Sequence, residues 1–320
     1  MQTGCFYTRG VKFVKVFDAH CDVLWQLWRT EGKRSFEHDE DLHISFEQLK
    51  KKKGSIQCFA IYVPEGVPYS QRFEAALEMA NIFHEQVLRS SHMKWIQTKE
   101  DVHNLTNEEI GAILTLEGCE AVGKEISKLH TLYNLGVRSV GLTWNYANLV
   151  ADGALETRGA GLSLFGKEVV SSLNHHRMWT DVSHLSEKGF WDVMEIGEYP
   201  IASHSNCYHL CPHPRNLKDE QIKALIKKDG MIGVTFVPGF LTKKQVASID
   251  DILRHVEHIC MLGGEKNVGF GSDFDGIVTM VKNIKKYEDY NRIIEVLLKY
   301  YTEAQVKNFT YNNFVNHILF

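Results

Sequence analysis

Short apolar, β-branched runs alternate with amphipathic helical stretches along almost the whole chain, and this alternation restricts the fold more than any other feature. The strand-like runs are FVKVFDAH, SIQCFAIYV, GAILTLEG, VRSVGLTW, MWTDVSH, PIASHS, GMIGVTFV and NVGFGSDF. Between many of them apolar residues recur at helical period. In FEAALEMANIFHEQVL, for example, Phe73, Leu77, Ala80, His84 and Val87 fall on one stripe. GLSLFGKEVVSSLNHHR, SEKGFWDVMEIG, KDEQIKALIKKDG and DDILRHVEHICMLGG repeat the pattern, and the stretch from Tyr290 to Phe320 predicts two closing helices. Strands separated by helices pair in parallel. Eight such units predict an α/β fold, a (β/α)8 TIM-type barrel, filled by residues 1–320 as one domain. A doubly wound open sheet is the alternative, but DAHCD stands where the glycine-rich dinucleotide fingerprint would follow the first strand.

The rest of the sequence narrows the classes of function. A net charge of −4 over 320 residues, with only the short basic run Lys50 to Lys53, argues against nucleic acid or an anionic membrane as partner. The seven cysteines are scattered and odd in number, which does not suit a disulfide framework. Cys207 and Cys211 lack a second pair at zinc-finger spacing. The opening MQTGCFYTRGVKF has no apolar signal core, and no window is long and apolar enough to span a bilayer. The expectation is a cytoplasmic protein.

Charge within the strands is more telling. In VFDAHCDVLWQLW, Asp18, His20 and Asp22 recur at every second position, and on a strand such residues share one face. Burying unpaired charge there would cost several kcal/mol. The other strands repeat the theme at their C-terminal ends: Glu117 on the third, His184 on the fifth, His204 on the sixth, Asp273 on the eighth. In a barrel these ends meet on one rim, where active sites lie. Carboxylates converging with three imidazoles require protons or cations between them, and two divalent metal ions fit best. Singly each residue has a plainer explanation, such as a cap for Glu117 or turn chemistry for Asp273. Asp275 fits a turn better still. His84, His130, His255 and His258 fall in helical patterns, His175 and His176 close a helix, and His43, His92 and His103 lie in polar surroundings; none is assigned a role. His209 and His213, in the loop leaving the sixth strand, stay unassigned.

FDAHCDVLWQL, LTLEG, TDVSHLSEKGFWDV, PIASHSN with HPRNLKDEQIKAL, and VGFGSDFDG, in this order, resemble the membrane (renal) dipeptidase family of amidohydrolase-like metallohydrolases. The resemblance implies a distorted barrel with two zinc ions per chain. It assigns His20 and Asp22 to one zinc, His184 and His204 to the other, and Glu117 to both. It makes Asp273 the catalytic aspartate and Arg215 the grip on the substrate's C-terminal carboxylate, and it places Trp25 near the pocket. It implies small dipeptide substrates, including those with a C-terminal D-residue, and pairing into a homodimer. One of Asp18, Asp181 and Ser183 is expected to orient a metal-bound imidazole. One position departs from the family: GLTWNYANLVADG carries Trp144 where a His is common, followed by Asn145, and both are taken as substrate contacts. Two alternatives stay open at this point: a barrel metallohydrolase of another amide, lactam or phosphoester, and a metal-binding protein without turnover.

Overall fold

The structure is a computed structural model and describes residues 14–320. Among the described residues nine strands form one sheet: β1 (Phe17–Asp18), β2 (Ile56–Tyr62), β3 (Met93–Trp95), β4 (Ile110–Glu117), β5 (Val137–Gly141), β6 (Trp179–Asp181), β7 (Pro200–Ile201), β8 (Ile232–Val234) and β9 (Val268–Phe270). Every pairing is parallel, in the order β7-β6-β5-β4-β2-β1-β9-β8. The ends of that path meet through a parallel bridge between Ala202 and Ile232, with Gly233 N–H donating to the Ala202 carbonyl at 2.8 Å. The result is an eight-stranded barrel of the TIM type.

All eight predicted runs supply the barrel strands. β1 is the shortest of them against its prediction, and Phe13, which opened that run, lies outside the described residues. The extra strand, β3, was not foreseen. It pairs with Ile110–Ala112 at the start of β4, on the edge that β5 takes over from Leu114 onward.

Alternation along the strands divides the apolar residues into two groups. The larger core packs the outer faces of the strands on the helices, as with Phe59, Ile61, Leu114, Leu116 and Phe270. A smaller cluster uses the other face near the strand starts: Phe17, Ile56, Cys58, Ile113, Trp179 and Ile201. Phe314 from the last helix and Ile318 just after it plug it, Phe314 stacking on Phe17 with centroids 4.8 Å apart. The barrel interior is thus sealed at the N-terminal end of the strands. Following the inner face of β2 from Ile56 through Cys58 and Ala60 brings Tyr62 to the open end; the same step on β4 from Ile113 brings Glu117 there. Among the described residues no helix is long and apolar enough to cross a membrane.

Candidate active site

The open rim gathers His20 and Asp22 beyond β1, Glu117 closing β4, His184 beyond β6, His204 beyond β7 and Asp273 beyond β9. His20 Nε2 lies 3.4 Å from Asp22 Oδ2 and 3.7 Å from Glu117 Oε2. Glu117 Oε1 lies 3.0 Å from His184 Nε2 and 3.6 Å from His204 Nε2. The His20 and His204 rings stack at 3.9 Å. Glu117 therefore stands between the two histidine groups, one oxygen toward each.

Asp18 does not join them. β1 ends at Asp18, so the two-residue repeat lapses before His20. The Asp18 carboxylate accepts from the Ser272 N–H at 2.8 Å and the Ser272 hydroxyl at 2.6 Å. It fastens β1 to the β9 end and orients no imidazole.

The imidazoles are oriented by other residues. His184 Nδ1 donates to Asn145 Oδ1 at 2.8 Å, an amide oxygen that can only accept. Ser203 Oγ is bonded to both an Asp181 carboxylate oxygen and His204 Nδ1, the latter at 2.7 Å. The hydroxyl has one proton and the carboxylate accepts it, so His204 Nδ1 donates to Ser203. Both rings thus carry their proton on Nδ1 and a bare lone pair on Nε2. Burial, reinforced by Arg215 and His20, keeps His184 neutral by lowering its pKa well below the usual value; burial, His20, His184 and Arg215 do the same to His204. His184 itself sits in left-handed backbone at φ 67°, as does Asp273 at φ 63°. Such a conformation costs a non-glycine residue of order 1–3 kcal/mol and persists where the surroundings impose it. The His184 carbonyl accepts from Ala154 N–H at 2.6 Å and Thr143 Oγ1 at 3.3 Å. Ser186 caps the following helix (Glu187–Ile196) through Gly189 N–H at 3.0 Å, a bond worth about 1 kcal/mol.

The donor set fits divalent cations. His184 Nε2 and His204 Nε2 face one another at 2.8 Å. His20 Nε2 and Asp22 Oδ1 are buried and lack any hydrogen-bond partner. His20, Glu117 and His204, and again His20, Asp22 and Asp273, bring ligand atoms within 4.8 Å of one another. Without a cation the carboxylates hold protons. Burial, helped by neighbouring acids, raises Glu117 well above its usual range, Asp22 to about 7 and Asp273 to about 8.

Arg215 is buried beside this group, and among the described residues its side chain makes one hydrogen bond, from Nη2 to the His204 carbonyl at 3.3 Å. Its Nε has no partner. Burial lowers its pKa to about 10, which still leaves a full positive charge at neutral pH. A cavity of about 400 Å³ opens beside it, bounded by His184, Ser186, Tyr208, Asn216 and Lys218. Trp25 packs edge-on against Tyr62 at 5.8 Å, Tyr62 against Trp144 at 5.3 Å, and Trp144 lies 6.1 Å from His184. Trp144 is fixed by its backbone N–H, which donates to the partly buried Glu120 carboxylate at 3.3 Å. Tyr62 was missed in the sequence, although its place at the end of an apolar strand, on the inner face, was a usable signal. Burial, then Glu117 and Asp22, raise its phenol pKa and keep it protonated.

The family model of membrane dipeptidases (Peptidase family M19) matches residues 9–318. The chain belongs to the membrane dipeptidase family. As a member it is a metallodipeptidase, a metal-dependent hydrolase of dipeptides. An uncharacterised protein in the PQQ-III 3′ region of Acinetobacter calcoaceticus is 30% identical over 285 residues, 78% of this chain and 90% of its own length. Dipeptidase aclJ of Aspergillus oryzae is 30% identical over 283 residues, covering 82% of this chain and 66% of its own. The metallopeptidase dipeptidase AC superposes with a TM-score of 0.89 at 28% identity, over 96% of this chain and 98% of its own. A metallopeptidase of Rhodobacter sphaeroides, solved with a phosphinate mimic of the dipeptide L-Ala-D-Ala, gives a TM-score of 0.88 at 26% identity, over 96% and 99%.

Proposed function

We propose that the chain hydrolyses dipeptides bearing a free C-terminal carboxylate, with two zinc ions per chain held by His20 and Asp22, by His184 and His204, and by Glu117 between them. The reading is carried by two bare Nε2 lone pairs, 2.8 Å apart, beside a buried guanidinium with an unused donor. Zinc at these donors would supply a hydroxide-strength nucleophile from water near neutral pH and polarise the scissile carbonyl.

The protein's own groups do the rest. Asp273 takes the proton of the attacking water on its carboxylate and returns it to the leaving amine. Arg215 offers planar, charge-assisted donors to the substrate's terminal carboxylate, which fixes the scissile bond one residue away. Counting round the barrel, Arg215 follows the sixth strand, whereas Tyr62 closes the second, with Trp25 and Trp144 after the first and fourth. A dipeptide anchored at Arg215 therefore directs its N-terminal residue toward the aromatic wall. Asn145 serves the site through His184. A C-terminal D-residue belongs to this reading, since the Rhodobacter ligand mimics L-Ala-D-Ala.

The proposal extends to a single domain acting in the cytoplasm as a homodimer; the cytoplasm is supported by the free state of Cys21, Cys58, Cys119, Cys207, Cys211 and Cys260. The deciding experiment measures amino-acid release by zinc-loaded protein from L,L- and L,D-dipeptides, their C-terminal amides and N-acetyl amino acids, with a chelated control. Cleavage confined to free-carboxylate dipeptides and lost on chelation is expected. Release from the amides or acetylated residues at comparable rates would refute the proposal.

A further inference from the structure

We propose that Asp275 and His43 are positioning residues for Asp273, a role that rests on the reading of Asp273 as the proton-transferring carboxylate. Asp273 and Asp275 both occupy left-handed backbone, at φ 63° and 68°, on either side of Phe274. Two such residues so close together relax unless something over-determines them. Here it is a segment far away in the chain. Asp275 Oδ1 accepts from the His43 N–H at 2.8 Å, and Oδ2 accepts from the Ile44 N–H at 3.0 Å. In return the Asp275 N–H donates to His43 Nδ1 at 2.9 Å. The Asp275 carbonyl accepts from Gln26 Nε2 at 2.6 Å, tying the turn to the helix that follows Asp22.

The clasp is reciprocal, buried on the Asp275 side and half-buried at His43. Asp275 is 4% exposed and both its oxygens are occupied. Burial, and then the charges of Lys286 and Arg34, lower the His43 pKa and keep the ring neutral, so that Nδ1 can accept. A residue that merely favours a turn needs a local bond to its own backbone; it does not need a matched pair of bonds to a distant loop.

The clasped turn lies directly against the reacting carboxylates. Asp22 N–H donates to the Phe274 carbonyl at 2.9 Å, and Asp273 N–H donates to the His20 carbonyl at 3.2 Å. A methyl group added at Gly276 would collide with carboxylate oxygens of both Asp22 and Asp273. No slack separates the turn from the two acids, so a shift of Asp275 is passed to Asp273. The clasp thereby sets the distance between the proton-transferring carboxylate and the metal-ligand group.

The test uses the zinc-loaded full chain. His43→Ala removes the acceptor, whereas His43→Asn places an amide oxygen near the position of Nδ1. A displacement of about 1 Å can cost on the order of 100-fold in rate. His43→Ala is therefore expected to lower kcat by roughly 10–100-fold, with KM, zinc content and melting temperature close to wild type. His43→Asn is expected to recover most of the loss. Asp275→Asn, which turns an NH2 group toward a backbone N–H, should behave like His43→Ala. Wild-type kcat in His43→Ala and Asp275→Asn overturns the proposal. So does a kcat loss that follows falling zinc content or melting temperature and is not restored by His43→Asn. Asp273→Asn, assayed alongside, tests the underlying reading separately: wild-type kcat in that variant removes the reading whatever His43 does.

Discussion

His184 Nε2 stands 2.8 Å from His204 Nε2, and neither atom has a proton to share. Asn145 and Ser203 hold both ring protons on the Nδ1 side, so the two lone pairs oppose each other in a buried site until a cation lies near them. Burial, with repulsion among neighbouring acids, keeps protons on the surrounding carboxyls when no metal neutralises them.

Metal-free protein is expected to lose stability as pH rises from about 6.5 to about 8. Asp22 and Asp273 are raised to about 7 and about 8, whereas unfolded aspartates titrate near 4. Between those limits these two carboxyls bind more protons in the folded state than in the unfolded one, so their part of the slope of stability against pH is negative. His184 and His204, held neutral in the fold, oppose it below about pH 6.5, where unfolded imidazoles are charged. Below about pH 4 the penalty is absent, and it grows until both folded carboxyls have ionised. Zinc should flatten the slope and raise stability by about 4 kcal/mol at a thousand times its dissociation constant. Melting curves of chelated and zinc-loaded protein at pH 5, 6, 7 and 8 check this. Parallel curves would show that these carboxylates do not meet the metal.

Replacing Asp273 by Asn should leave folding and zinc content intact while lowering kcat by about 10²–10⁴-fold, the usual contribution of a positioned proton carrier. Asn is isosteric and removes only the basic oxygen. Steady-state kinetics with elemental analysis decide the matter, and loss of zinc together with rate would recast Asp273 as a ligand only.

The barrel and the gathering of His20, Asp22, Glu117, His184, His204 and Asp273 on one rim were legible because each depends on local pattern. β-Branched runs such as SIQCFAIYV and GAILTLEG report strands directly, and a His or acid at the end of such a run has few other uses. What stayed hidden depends on pairs that meet only in the folded chain. Ser203 reads as a small strand residue until Asp181 and His204 close on its hydroxyl. Asn145 looked like a substrate donor, yet its oxygen is turned to His184. His43 and Asp275 lie 232 positions apart, and neither suggests the other. Asp18 misled because strand periodicity was extended past the point where β1 ends.

Arg215→Lys tests the carboxylate grip. A lysine keeps the charge but loses the planar fork and the reach of Nε. Activity on free-carboxylate dipeptides is expected to fall by about 10²-fold in kcat/KM, in the range found when a buried charged contact is broken. Cleavage of the corresponding C-terminal amides, already poor, should change little. The ratio of the two activities is the readout. A uniform loss on both substrates would mean that Arg215 supports the site structurally through the His204 carbonyl.

The aromatic wall predicts which N-terminal residue the enzyme prefers. Tyr62 touches both Trp25 and Trp144, and it closes the second barrel strand whereas Arg215 follows the sixth. Trp144 presents a large apolar face and one neutral donor, so the wall favours burial of an apolar side chain over a polar exchange. Single apolar groups in such pockets discriminate by about 10–200-fold. Phe- and Leu-initiated dipeptides should therefore exceed Gly-initiated ones by about that factor in kcat/KM. Tyr62→Ala should reduce the ratio about tenfold while leaving Gly-initiated substrates nearly unaffected, because they reach the metal-ligand group without touching the wall. Trp144→His should lower the preference in the same direction, which separates the loss of an apolar face from the loss of bulk alone. Equal rates for Gly- and Phe-initiated dipeptides in the wild-type enzyme would exclude the wall from substrate recognition and confine Trp144 to packing beside His184.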